Sequence, residues 1–190
     1  MWKVTGERIY PKGDNPLDNR FYGYRETTLL LPDGRSAIYH GLVVPDCVHV
    51  VAIEDDETTY LVRQSRPNVR AIGQRAVPET LELPGGFSEP DLGLIGSAQR
   101  ELQDEINRRA GHIVQIGVLY PSVGVSNEQD HIFFATGLEP STGDMEREAT
   151  EQDMQIVAGK FGELYRQMLR SRLPVSAQTV AAFALAASHL

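Results

Sequence analysis

The chain has 190 residues, 26 acidic against 18 basic side chains, 41% hydrophobic residues and one cysteine. That length suits one compact domain with room for a small appended subdomain, and a chain of 21.1 kDa should hide roughly 70% of its unfolded surface, so the core stands without staples. The single Cys47 excludes an internal disulfide and a four-cysteine zinc site. No apolar run approaches the ~18 residues of a spanning helix, and the net charge of -8 argues against binding nucleic acid through its backbone. MWKVTGERIY carries no apolar run fit for a signal peptide, so the expectation is a cytoplasmic chain with no membrane partner.

In chain order, residues 2–10 and 25–31 read as strands, and LPDGRSAIYHGLVV as a hairpin with Asp33-Gly34 at its turn. CVHVVAI is a buried strand by its β-branched content, EDDET a charged turn and TYLVRQ the returning strand. Residues 66–80 are polar and punctuated by prolines, a loop bearing Arg66, Arg70 and Arg75. LELPGGF reads as a short strand ending in a diglycine turn. From about Leu94 to Arg109, Ile95, Ala98, Leu102 and Ile106 recur every three or four residues and make one helical stripe, ended by Asn107 or Gly111. HIVQIGVLY and DHIFFATGL are strands around the loop PSVGVSNEQ, and MQIVA is a last short strand. Phe161–Arg170 and Ser176–His189 read as helices, with Ser176 as cap. Strands alternating with helices, mixed with hairpins, point to an α/β layer fold with a mixed sheet.

Chemistry concentrates on the first helix. Glu101, Asp104 and Glu105 share one face, beside the apolar stripe. Like charges on one turn repel, and Arg100 and Arg108 offset this only partly. Such a helix face next to a diglycine corner suggests a hard divalent cation that takes oxygen ligands and leaves places for phosphate oxygens. The bland reading is an exposed acidic helix. Between Glu128 and Asp153 stand eight acids and one base, Arg147, either a solvated loop face or the lining of a cation site. The five histidines show no ligand spacing, and Cys47 reads as a small buried hydrophobe. Trp2 and Tyr10 suit either a subdomain core or an interface.

Residues 86–108, GFSEPDLGLIGSAQRELQDEINR, resemble the Nudix box: Gly86, Arg100, Glu101, Leu102 and Glu105 stand at matching places without a gap, and Asp104 takes the first position of the Glu-Glu pair. VVAIEDDETTYLVRQSRP, LELPGGFSEP, GVLYPSVGVSNEQDHIFFATGL and LPVSAQTVAAFALA are similar to the ADP-ribose and nucleotide-sugar pyrophosphatase branch of that family. The resemblance implies an α/β/α sandwich over residues 46–190, with a mixed sheet, and a small antiparallel β subdomain over 1–45 that makes a homodimer. It implies hydrolysis of a nucleoside diphosphate derivative with Mg2+ or Mn2+. Glu101, Glu105 and the Gly85 carbonyl would be metal ligands, Asp104 a weaker one; Arg66, Glu82 and Gly86 would meet substrate; Glu105 and Arg100 would serve catalysis.

This chain departs from the pattern at three places. The box glutamate that braces the arginine is Leu92, so Arg100 needs Asp91 or Glu89 instead; the box glycine is Asn107; the branch proline is Val123. If Met154 and Ile156 both point inward, Thr150 and Gln152 fall where the branch has carboxylates; a slip of one brings in Glu151 and Asp153. Glu151 is the favoured base, with Glu128 as second. The alternative function is a nucleotide-binding module whose catalysis has decayed.

Overall fold

The structure is a computed structural model and describes residues 2–10, 22–71, 74–147, 151–170 and 172–190. The chain divides into two compact units, one of residues 1–46 with 120–129, the other of 47–119 with 130–190.

The first unit is a three-stranded antiparallel sheet of β1 (Lys3–Tyr10), β2 (Gly23–Leu30) and β3 (Ser36–Val43), with β2 in the middle. The β2–β3 turn needs Gly34, whose φ is +85°, and Asp33 Oδ1 accepts from the Arg35 amide at 3.1 Å. The 120–129 segment belongs here: the Leu42 amide donates to Val125 O at 2.7 Å, and Asn127 exchanges two hydrogen bonds with the Val44 backbone. Trp2 is exposed, while Tyr10 leans on Tyr24 with ring centres 5.7 Å apart.

The second unit is the expected α/β fold. Its strands are β4 (Cys47–Ala52), β5 (Thr58–Ser65), β6 (Glu79–Glu82), β7 (Gly85–Phe87), β8 (Arg108–Leu119), β9 (Asp130–Pro140) and β10 (Gln155–Lys160). One sheet runs β7-β4-β9-β8 and another β10-β5-β6; β4 and β9 are parallel, and the other pairs antiparallel. The helices are α1 (Gly93–Ile106), α2 (Phe161–Leu169) and α3 (Ala177–Ala186).

Strand alternation gives β4 two buried faces. Val48, Val50 and Ala52 pack with Ala98, Leu102 and Ile106 of α1. Val51 and Ile53 belong to the opposite core, with Phe161, Leu164 and Met168 of α2 and Ala182, Phe183 and Ala186 of α3. Ser176 caps α3, its side chain accepting from the Thr179 amide.

Three expectations need correction. Gly85 and Gly86 lie in β7 rather than a turn, because Gly85 pairs with His49 and Gly86 with Val48. The α1 stripe uses Leu94, packed on the core, whereas Ile95 is exposed; the helix ends at Ile106, where Asn107 takes the left-handed conformation at φ 54°. Met154 is buried but Ile156 is exposed, so β10 turns Val157 inward instead.

Candidate metal and diphosphate site

The burial of Ala98, Leu102 and Ile106 fixes how α1 is rotated about its axis. That rotation carries Glu105 under β7: it is 3% exposed, and its Oε2 accepts from the Gly85 amide at 2.8 Å. Glu101, one turn earlier, lies against Gly86, where a β-carbon would come within 2.5 Å of Oε1. The glycine pair is therefore a space requirement of the two carboxylates as well as of the strand. At Gly85 a β-carbon would run into Val48 O and the His49 ring.

The electrostatics of this corner are those of closely packed negative charge. Burial pushes Glu101 up to about 7, and the charges of Glu151 and Asp104 push the same way. Burial also lifts Glu105 well above the ordinary carboxylate range, reinforced by Glu101 and Glu151 and opposed by the Gly85 amide. Glu151 is thus close enough to act on both helix carboxylates, and its charge also reaches Arg66.

Arg66 and Glu82 come together as a two-pronged pair, Nε–Oε1 at 2.8 Å and Nη2–Oε2 at 2.6 Å. The Glu82 hydrogen bonds raise the Arg66 pKa further. Burial works against the Glu82 charge, but the bonds from Arg66 and Thr80 outweigh it and leave the carboxyl below its usual value. Arg70 is turned to its own loop, donating to Gln74 O at 2.8 Å.

Arg100 and Asp104 lie beside this corner and face each other. Arg100 Nε donates to Asp104 Oδ2 at 3.2 Å, and Asp104 Oδ1 accepts from the Glu146 amide at 3.3 Å. The brace on Arg100 is Glu89, both of whose oxygens lie 2.9 Å from Nη1. Asp91 is exposed, and no contact with Arg100 appears among the described residues. Leu92 is 46% exposed, so the helix start has not been repacked around it.

The acidic segment contributes a residue whose role the sequence reading did not assign. Arg147 donates to Glu105 O at 3.2 Å and to Met154 O at 3.0 Å. It thereby ties the end of α1 to the turn that carries Glu151, where the Met154 amide bonds Glu151 O at 3.0 Å. Gln152 donates back to Arg147 O. Being the one base among eight acids was the available signal. Asp153 is engaged elsewhere, with Ser65 Oγ at 2.9 Å; Thr150 lies outside the described residues. Glu128 belongs to the first unit.

No family model matches the sequence. Among curated proteins, the chain is 29% identical over 150 residues to the ADP-ribose pyrophosphatase of Bacillus subtilis (strain 168), covering 78% of this chain and 76% of that one. Among solved structures, an ADP compounds hydrolase superposes with a TM-score of 0.79 at 18% identity, over 100% of this chain and 94% of the other, a likeness of fold. The curated relative and the likeness of fold point the same way as the box residues: the chain is similar to ADP-ribose pyrophosphatases and shares the fold of an ADP compounds hydrolase.

Proposed function

We propose that the chain is a metal-dependent hydrolase that cleaves the pyrophosphate bond of a nucleoside diphosphate derivative, ADP-ribose or a nucleotide sugar, into two monophosphates. The observation that carries this reading is the corner of Glu101, Glu105 and Glu151 beside Gly85 and Gly86, in a chain whose curated relative is an ADP-ribose pyrophosphatase.

The donors fit a hard divalent ion. The donors named for the site, carboxylates and a backbone carbonyl, are all oxygen, and two carboxylates are held at raised pKa by burial and mutual repulsion, a cost that a cation relieves. Glu101, Glu105 and the Gly85 carbonyl would hold Mg2+ or Mn2+, with Asp104 in a weaker role. Such an ion supplies charge neutralisation at phosphate oxygens and a water acidic enough to attack phosphorus. Glu151 would take the proton of that water, since it is the carboxylate whose charge reaches both helix ligands. Arg66, held flat by Glu82, would present its outer edge to the diphosphate, and Gly86 would let substrate approach the backbone. Arg100 would steady Asp104 and the box loop through Glu89.

Exposed Trp2, Val4, Ile9, Ile38 and Tyr39, in and beside the three-stranded sheet, support a homodimer that covers them. A net charge of -8 speaks against a nucleic-acid partner, and among the described residues no helix is long and apolar enough to cross a membrane. The lone cysteine supports a cytoplasmic setting. The reading as a decayed binding module rests on the missing box glutamate and the ambiguous base, and Glu89 on Arg100 speaks against the first of these grounds.

The test is release of monophosphate products from ADP-ribose and a panel of nucleotide sugars with Mg2+ or Mn2+. Turnover that disappears in Glu105→Gln is the expected result. Saturable binding in a calorimeter with no product from any substrate would favour the binding module.

A further inference from the structure

On the other side of β4 from α1, the end of α2 gathers positive charge that the fold leaves unpaired. α2 turns Phe161, Leu164 and Met168 to the core. The helical period then puts Arg166 and Arg170, four residues apart, together on the outer face. After the helix the chain folds back: the Arg170 amide donates to Arg166 O at 3.3 Å and the Arg172 amide to Gln167 O at 3.1 Å. The three arginines thereby line one groove of about 600 Å³, together with Glu163 and Gln167. Glu163 accepts from Gln167 Nε2 at 3.2 Å, and none of the three guanidiniums has an ion pair or a hydrogen bond among the described residues. Arg66, Arg100 and Arg108 of the same unit each hold a carboxylate. The negative end of the helix dipole favours a base in its last turn, which accounts for Arg166 but not for Arg172, brought back from beyond the helix. In a chain of 26 acids against 18 bases, three bare guanidiniums around one hollow call for an anion.

We infer that Arg166, Arg170 and Arg172 form a binding site for a compact, multiply charged phosphate compound, from inorganic pyrophosphate to a mononucleotide in size, separate from the diphosphate site proposed at Arg66. The guanidinium fork presents two parallel donors that match phosphate oxygens, and it keeps its charge throughout the physiological pH range. Glu163 offsets one of the three charges and leaves the groove net positive. Its volume lies within the roughly 300–1,000 Å³ of small-molecule sites. The size of the anion follows from the rest of the chain. A net charge of -8 repels a long polyanion that extends past the groove, whereas a compact one meets the arginines alone.

The test is a calorimetric titration of the full-length protein with inorganic pyrophosphate in metal-free buffer. The expected result is one saturable event that weakens as salt is added. It should persist in Arg66→Gln and weaken by about tenfold or more in the double variant Arg166→Gln/Arg170→Gln. The double variant Arg166→Lys/Arg170→Lys should recover part of the affinity, because it keeps the charge without the fork. All three side chains are exposed, so these variants keep the fold. No saturable binding in wild type overturns the site. So does binding that Arg66→Gln abolishes and Arg166→Gln/Arg170→Gln leaves unchanged, which would assign the anion to the diphosphate site. A single-stranded oligonucleotide held through the arginines more tightly than pyrophosphate would overturn the compact class of ligand. Each of these outcomes is independent of the hydrolase reading, which is tested by turnover.

Discussion

At the scale of single residues, the box helix shows how one lost side chain is replaced. Leu92 leaves Arg100 without the family brace, and two acids near it, Glu89 and Asp91, compete for the role in the sequence. Reach could not be read there, because it depends on the path of the loop. In the structure Ser97 Oγ accepts from the Glu89 amide at 2.8 Å, and the Leu92 amide bonds Glu89 O at 3.1 Å; this turn aims Glu89 at Arg100. Both partners are more than a third exposed, so the pair itself contributes only about 0.2–1 kcal/mol to stability. Its effect should appear in activity rather than melting temperature. Glu89→Gln is expected to lower kcat/KM severalfold, while Asp91→Ala leaves it unchanged. Leu92→Glu should give no gain in the wild-type background but restore much of the loss in the Glu89→Gln background. Steady-state kinetics on the four variants check this; a loss in Asp91→Ala alone would assign the brace to the other acid.

At the scale of elements, what the sequence made legible and what it hid have different physical origins. The helix was legible because Ala98, Leu102 and Ile106 repeat at its own period, and the carboxylate face follows from the same period. Its first turn was misassigned because Leu94 and Ile95 are adjacent and equally apolar, so that only the packed partner distinguishes them. The diglycine corner was misassigned because glycines favour turns locally, whereas a tertiary constraint, room for Glu101 and the Glu105 bond, puts them in a strand. The slip in β10 has the same cause: Met154 ends a turn and does not belong to the strand alternation. Arg147 was visible only as an odd charge, because its partners are backbone carbonyls, which no residue pattern encodes. Its two bonds join α1 to the turn of Glu151, so the distance between the proposed metal ligands and the proposed base should depend on this guanidinium. Arg147 reaches the two carbonyls from two different nitrogens of its planar fork, a spacing that the single compact ammonium of lysine does not reproduce. Arg147→Lys is therefore expected to lower kcat about tenfold to a hundredfold, the cost of a small misplacement of a reacting group, with KM little changed. Leu102→Ala, on the core side of the same helix, should instead cost about 2–5 kcal/mol of stability, read from denaturant unfolding. Wild-type kcat in the Arg147→Lys variant would mean that the turn keeps its place without the fork.

At the scale of the whole molecule, the acidic corner should make folding stability depend on pH and, through the proposed cation, on divalent ions as well. Glu101 titrates at about 7 in the folded state against an ordinary value of 4.5, and Glu105 lies well above it too; burial is the main cause for each. Below about pH 4.5 both carboxyls are protonated, folded or not, and nothing is lost. As pH rises from there toward 7, the unfolded chain releases these protons while the folded chain keeps them, so stability falls with rising pH. Groups shifted the other way act in a lower window. Asp56 is lowered from 3.8 to about 2 by the Lys160 hydrogen bond, and Glu82 also lies below its ordinary value. Their stabilisation is present above those ordinary values and is lost as pH drops through the folded ones. The metal-free protein should therefore be most stable near ~pH 5, with its melting temperature declining toward pH 8. A cation that binds only the ionised corner reverses the upper slope, since it stabilises the folded state in proportion to occupancy and displaces the same protons. Thermal melts across pH 4–8, with chelator and with saturating Mg2+, should show the two curves diverging as pH rises. Glu101→Gln should flatten the chelator curve above pH 5 and shrink the gap between the two. Parallel curves for wild type, with Mg2+ raising the melting temperature equally at every pH, would separate the cation from these carboxylates and with it remove the physical basis of the proposed site.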